Sequence, residues 1–355
     1  MTISRAWRHA LRALQRLATT GALLALAASG ALAASGAQAA SGAQATTLKV
    51  ATLSPDGSVW MKLLREGAAE VAERTEGRVK FKFYPGGVMG DDKAVLRKIR
   101  LGQLHGAVLT AGGLTQTYTD IQLYNLPLLF ETTEEVDYVR SRMDRQLGAG
   151  LEEQGFVSFG LAEVGFAYAM SKTPVTGVDE VQALKVWVPD GDLGAAQAVA
   201  SFGITPIPLS IADVLGGLQT GLINGVAVPP VAAIALQWHS QLEHVLDLPL
   251  LYVYGLLAMD ERVFGRLSEA DQAVVRDVMG RVVERVDARN REDHESAVAA
   301  LREQGLQWNQ PTPAQVTEWQ TYAQTATRRL LAEGFVSEGL YQALLDHLQN
   351  FRSQD

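Results

Sequence analysis

The chain has 355 residues, 31 Lys plus Arg against 39 Asp plus Glu, and no cysteine. Without cysteine there is no disulfide framework, thiolate zinc site, iron-sulfur cluster, cysteine nucleophile or lipid-modified N-terminal cysteine. A net charge of -8 offers no basic footprint for nucleic acid, and 47% apolar with 20% charged residues is a globular composition whose length suggests about two domains.

Residues 1–45 read as a secretory signal rather than as part of the fold. Arg5, Arg8, Arg12 and Arg16 form a basic start without an acid, and residues 17–34 are uncharged and rich in Ala, Leu, Gly and Thr. The small-residue patterns Ala37-Gln38-Ala39 and Ala43-Gln44-Ala45 place cleavage near 39 or 45. A retained anchor is the weaker reading, because a spanning helix wants about 20 predominantly apolar residues and this stretch is Ala- and Gly-rich. No Arg-Arg pair stands in the basic start, which favours Sec over twin-Arg export. Taking those four arginines, and no acid, from 31 basic and 39 acidic residues leaves 27 against 39, a net of -12 for the exported part. No other segment reaches a spanning length free of charge and Pro, so the mature chain is expected free in the periplasm.

After residue 46 the periodicity alternates. Residues 47–52 are β-prone, 58–73 carry helical apolar spacing, and 79–84 alternate until Pro85-Gly86-Gly87 stops them. Helix at 93–101, strand at 106–110, amphipathic helix at 134–154 and strand at 156–162 continue the pattern, which predicts a parallel sheet with helices on both faces. A second block follows: strand 183–188, helix 193–202, strand 205–209, helix 211–219 and strand 223–228. Two such units predict a cleft between them. Residues 268–305 read as one long helix, with Ser268 as cap, Glu269 and Asp271 in the first turn, apolar Val274, Val275, Val278, Val282, Val283 and Val286, and Gly305 at the end. Such a helix is long enough to lie across both units. Helices at about 313–333 and 337–351 complete the chain.

Catalytic patterns are sparse. His239 and His244 flank Glu243 but stand five apart, about 140° around a helix, so they read as surface or cap histidines rather than a zinc pair. There is no G-x-S-x-G elbow, Walker loop or G-x-G-x-x-G after a strand, and Asp91-Asp92 reads as helix capping. No enzyme activity, metal or cofactor is expected.

The segments Tyr84-Pro-Gly-Gly-Val-Met-Gly90-Asp-Asp-Lys-Ala-Val-Leu96, Leu101-Gly-Gln-Leu104, Leu126-Pro-Leu-Leu-Phe130, Leu184-Lys-Val-Trp-Val-Pro189, Gly203-Ile-Thr-Pro-Ile-Pro208 and 213–225 resemble, in order, the substrate-binding subunit of TRAP transporters, the DctP-like family. The resemblance implies an α/β fold of the type II periplasmic binding protein kind, with two lobes around a ligand cleft, a long helix spanning both, and hinge closure on the ligand. On that frame residues 46–165 with about 255–310 form lobe I, 166–254 lobe II, and 311–355 are C-terminal helices packed on the lobes. The implied partners are a small-molecule ligand and the TRAP membrane permease subunits.

The sequence departs from the family where solute carboxylates are bound. Trp187 stands where the family motif Lys-x-Arg-x-Pro has its clamping Arg, and Ala167 where a second Arg is common. Val228 replaces an Asn of the cleft, and Thr110 stands where some members have an acid. These exchanges remove charge and add apolar lining, so the expected ligand is apolar or aromatic, with Trp187, Ala167, Val228, Thr110, Ile211, Asn224 and Trp60 as ligand-binding residues. A stacked cationic solute is another reading of the tryptophan. A carboxylate held by backbone N–H groups and by Lys62, Arg65 or Lys172 is the alternative within the class; a periplasmic enzyme or sensor module is the alternative outside it. Residues 185–192 and 229–239 resemble a divergent TRAP branch that works beside a periplasmic tetratricopeptide-repeat partner and has been associated with hydrophobic ligands.

Overall fold

The structure is a computed structural model and describes residues 45–353. The proposed signal segment therefore lies outside the described residues, except for Ala45. The strands are β1 Thr46–Thr52, β2 Val79–Tyr84, β3 Gly106–Thr110, β4 Phe156–Ser171, β5 Val186–Pro189, β6 Pro206–Leu209, β7 Gly225–Val228, β8 His244–Leu246, β9 Leu251–Asp260 and β10 Gln307–Asn309. The helices are α1 Val59–Arg74, α2 Asp92–Arg100, α3 Thr133–Glu152, α4 Val178–Gln182, α5 Leu193–Ser201, α6 Val214–Thr220, α7 Pro230–Ala235, α8 Glu261–Phe264, α9 Glu269–Glu303, α10 Pro313–Ala332 and α11 Glu338–Arg352.

The strands join in one sheet of order β2-β1-β3-β9-β4-β7-β5-β6, with β8 and β10 attached beside β4. Within each α/β block the pairing is parallel, as the alternating pattern predicts: β1 with β2 and β3, and β5 with β6 and β7. The sheet as a whole is mixed, which corrects the expectation of a parallel sheet. β9 runs antiparallel to both β3 and β4, and β4 runs antiparallel to β7. The reason is connectivity: β4 and β9 are long strands that enter from outside the blocks and stitch the two halves together. β4 extends to Ser171 rather than ending at 162, and its register with β9 shifts between Ser158 and Leu161 and between Glu163 and Gly165. Gly165 has φ +115, and a Cβ there would lie 2.8 Å from Nδ1 of His294, so both backbone and space require glycine at the second bulge.

Buried apolar residues cover both faces of each half. Leu48, Met61 and Val278 belong to the core under α1 and α9, while Leu123, Val139 and Tyr254 belong to the one under α2, α3 and α11. Trp187, Val226 and Trp238 centre a third cluster, and Phe202, Val186 and Trp319 a fourth. α9 has 35 residues, about 52 Å at 1.5 Å per residue, and packs on α1, β4 and α7. Its start is as the sequence predicts, with the Ser268 side chain accepting the Asp271 N–H at 3.1 Å. His244 is not at the surface: it lies buried in β8, its Nδ1 3.3 Å from the Asn309 amide, because that segment pairs with β4 and β10 instead of coiling.

Candidate functional site

A cavity of about 500 Å³ opens between the two halves of the sheet, within the size range of small-molecule sites. One wall comes from the first block: Thr52 to Pro55 after β1, Ser58 to Trp60 at the start of α1, and Val108 to Thr110 at the end of β3. The opposite wall is α7, with Val231, Ala232, Ile234, Ala235 and Leu236, joined by Ile211. Val164 at the β4 bulge and Gly255 of β9 form the floor, and α9 closes the remaining side with Asn290, Asp293, Ser296, Ala297 and Ala300.

Local sequence explains the placement. Ser58 caps α1, its hydroxyl accepting the Met61 N–H at 3.3 Å, which sets Trp60 in the first turn at the cavity rim. A methyl group at Gly255 would stand 2.9 Å from the Leu109 carbonyl and 3.8 Å from the Trp60 ring, so the glycine leaves room for β9 and the indole together. Pro230 opens α7 at a position where its missing N–H costs nothing.

Of the residues expected from sequence to touch ligand, Trp60, Thr110 and Ile211 are brought together in this cavity. The other four stand elsewhere. Trp187 is buried against Trp238 and donates its indole N–H to the Leu209 carbonyl at 3.0 Å. Ala167 is fully buried in β4, and Val228 is buried opposite Tyr168 in the β4–β7 ladder. Asn224 closes the turn before β7: its side chain accepts the Lys185 N–H at 2.6 Å and its carbonyl the Lys172 N–H at 3.1 Å. The α7 wall and the α9 face escaped the sequence reading. The available signal was the change in α9 after Val286, where a valine stripe gives way to Asn290, Asp293, Ala297 and Ala300 at spacings of three and four.

The lining contains no Lys, Arg or His, and Asp293 is its single charged side chain. The three lysine and arginine candidates lie away from it. Arg65 pairs with Asp56 at 2.6 Å in solvent, Lys172 binds the Leu218 carbonyl, and Lys62 is exposed on α1. Two better buried arginines are consumed by other groups. Arg140 holds Asp287 at 2.8 Å, Asp144 at 3.1 Å, the Tyr252 hydroxyl at 3.0 Å and the Leu161 carbonyl at 2.8 Å. Arg291 holds Asp137 at 2.6 Å and the buried Glu163 at 2.7 Å. Burial pushes the pKa of His294, beneath Gly165, below the usual imidazole value, which favours its neutral form.

Thr110 links the cavity to a buried acid. Its hydroxyl and N–H reach Asp92 Oδ2 at 2.7 and 3.1 Å, and burial raises the Asp92 carboxyl to about 6. Asp91, as expected, caps α2 by accepting the Ala94 N–H at 2.8 Å.

A two-block α/β molecule stitched by long strands, with a cavity between the halves and a helix along it, is the architecture of a solute-binding protein. Residues 50–333 match the family model described as bacterial extracellular solute-binding protein, family 7 (DctP), and the chain belongs to that family of periplasmic TRAP solute-binding proteins, which are binding proteins and not enzymes. It is 25% identical over 266 residues to a solute-binding protein of Verminephrobacter eiseniae, covering 74% of this chain and 78% of that one. It is 22% identical over 242 residues to the sialic acid-binding periplasmic protein SiaP of Vibrio cholerae, covering 67% and 74%. A TRAP periplasmic solute-binding protein from Sulfitobacter sp. NAS-14.1, solved with bound β-D-galacturonate, superposes with a TM-score of 0.77 at 19% identity, covering 86% of this chain and 100% of that one. Among the described residues no helix is long and apolar enough to cross a membrane.

Proposed function

We propose that this protein, after export by its N-terminal signal, captures a solute with a large apolar part in the cavity under Trp60 and delivers it to the membrane subunits of a TRAP transporter. The observation that carries the reading is the lining itself. A carboxylate taken from water into a site without a cation loses its hydration and gains no charge partner, and burial of an uncompensated charge is costly. An apolar surface laid against Val231, Ile234, Leu236, Ile211 and Trp60 gains about 25 cal/mol for each Å² removed from water. In this reading Trp60, Thr110 and Ile211 contact the solute, while Trp187, Ala167, Val228 and Asn224 build the wall behind it. Residues 46–165 with about 255–310, and 166–254, act as lobes that close by bending where β4 and β9 cross between them.

A carboxylate solute is the second reading, favoured by what is bound to structural relatives such as the galacturonate protein. It would have to rely on backbone N–H groups and hydroxyls such as Ser54, Ser58 and Thr110. The resemblance of residues 185–192 and 229–239 to the branch with a tetratricopeptide-repeat partner suggests a periplasmic helical-repeat protein as a further partner.

Titration calorimetry on residues 46–355 tests the reading, with a panel of uronates and dicarboxylates set against aromatic and alkyl compounds. Binding confined to the second group is expected. Tight binding of galacturonate or a dicarboxylate, with no response to apolar compounds, would overturn it.

A further inference from the structure

The cavity is polarised along α9, and this says what the solute's polar end must be. From Asn290 to Ala300 the helix runs about 15 Å along the site. One end of this stretch is polar: the buried Asn290 bonds the Glu163 carbonyl at the β4 bulge, and the partly exposed Asp293 stands one turn on. At its other end Ala297 and Ala300 face the aliphatic side chains of α7, with Ser296 the one polar lining residue beside them.

The carboxylates around the polar end outnumber the arginines. Arg289 is shared by Glu292 (2.9 Å) and Asp293 (3.2 Å), Arg291 by Asp137 and Glu163, and Arg140 by Asp144 and Asp287. Three arginines are thus divided among six carboxylates along this stretch of the molecule. Of these carboxylates only Asp293 lines the cavity. Trp60 adds an aromatic face that accepts a cation as readily as an apolar group.

We propose that the solute is an elongated cationic amphiphile, an alkyl or aralkyl amine, bound with its ammonium at Asn290 and Asp293 and its tail between Ala297, Ala300 and α7. The inference rests on the apolar-solute reading above and sharpens it to one head-group charge. The ammonium meets a carboxylate that its own arginine leaves under-neutralised, while a fatty acid of the same length meets repulsion at the same point and an alcohol gains only hydrogen bonds.

Decylamine, 1-decanol and decanoate, each below its micellar concentration, separate these cases when titrated into residues 46–355, with galacturonate as a fourth ligand. The amine is expected to bind on the order of tenfold or more tighter than decanoate, with the alcohol between them. Asp293→Asn should remove most of that gap without moving the alcohol, and Ala297→Trp, which fills the tail end, should weaken all three. Equal binding of the three chains, or decanoate the tightest, with Ala297→Trp still blocking them, overturns the cationic head and leaves the apolar reading standing. Failure of every decyl compound overturns both, and binding of galacturonate in the same series replaces them with the carboxylate reading.

Discussion

Thr110 gives its N–H and its hydroxyl to one and the same oxygen of Asp92, at 3.1 and 2.7 Å, across the boundary between the cavity wall and the start of α2. Asp92 is 8% exposed, and burial is the larger influence on its carboxyl, raising it from 3.8 to about 6 despite the two donors. A raised carboxyl favours the protonated fold. Its stabilising contribution is therefore complete below pH 4 and is lost as pH rises through 6. Asp192, likewise buried and raised, adds in the same direction.

Asp92→Asn keeps an oxygen for both Thr110 donors and removes the ionisation. Denaturant unfolding of wild type and variant at several pH values should give equal stability near pH 4 and an advantage to the variant above pH 7, about 2–3 kcal/mol from a shift of roughly two units. Parallel stability curves would show that Asp92 ionises without cost.

Trp187 is expected to act on stability. Its ring meets Trp238 edge-on, centroids 5.0 Å apart at 75°, inside a cluster with Val226, Leu218 and Leu242. Trp187→Ala should cost about 3–5 kcal/mol, and Trp187→Phe much less, because the Leu209 carbonyl also accepts the Asp190 N–H. Neither should change the order of affinities across a ligand panel. A variant of near wild-type melting temperature with altered ligand choice would put Trp187 back in the site.

Trp60 should behave in the opposite way. It is half-buried at the cavity rim, so Trp60→Ala is expected to weaken solute binding by about tenfold to a hundredfold while costing far less stability than Trp187→Ala. Calorimetry paired with thermal unfolding reads both quantities, and a loss of stability that matches the loss of binding would contradict a contact role.

Arg140 ties α3, β4 and α9 together. Arg140→Met leaves the partly buried Asp287 and Asp144 without their cation and should destabilise by about 3 kcal/mol. Arg140→Lys should recover only part of this, since one ammonium cannot reproduce contacts made by Nε, Nη1 and Nη2. Full rescue by lysine, measured by denaturant unfolding, would mean that charge alone matters there.

Much of the fold was legible because its signals are local. Ser58, Asp91 and Ser268 start helices where capping chemistry says they should, and the alternation at 79–84 and the short apolar run at 106–110 mark strands within the observed bounds. β9 was not legible: Leu251–Asp260 is buried on both faces over most of its length, so it has no alternation to read, and its antiparallel pairing depends on chain segments a hundred residues away. The cavity lining was hard to read for the same reason. Motif position pointed to Trp187, Ala167, Val228 and Thr110, of which only Thr110 lines the cavity; it does not tell which side of a short strand faces the opening, and for Trp187 the partner that decides this, Trp238, lies far along the chain. The α9 face looked like ordinary helix surface until α7 was placed opposite it.

The most direct test of the account is the identity of the molecule that the protein carries. Residues 46–355, purified without denaturation, extracted with organic solvent and analysed by mass spectrometry, should yield a compound with a substantial alkyl or aromatic part, depleted in Trp60→Ala and Ala297→Trp preparations. Recovery of a uronate, sialic acid or dicarboxylate, retained in both variants, would contradict it.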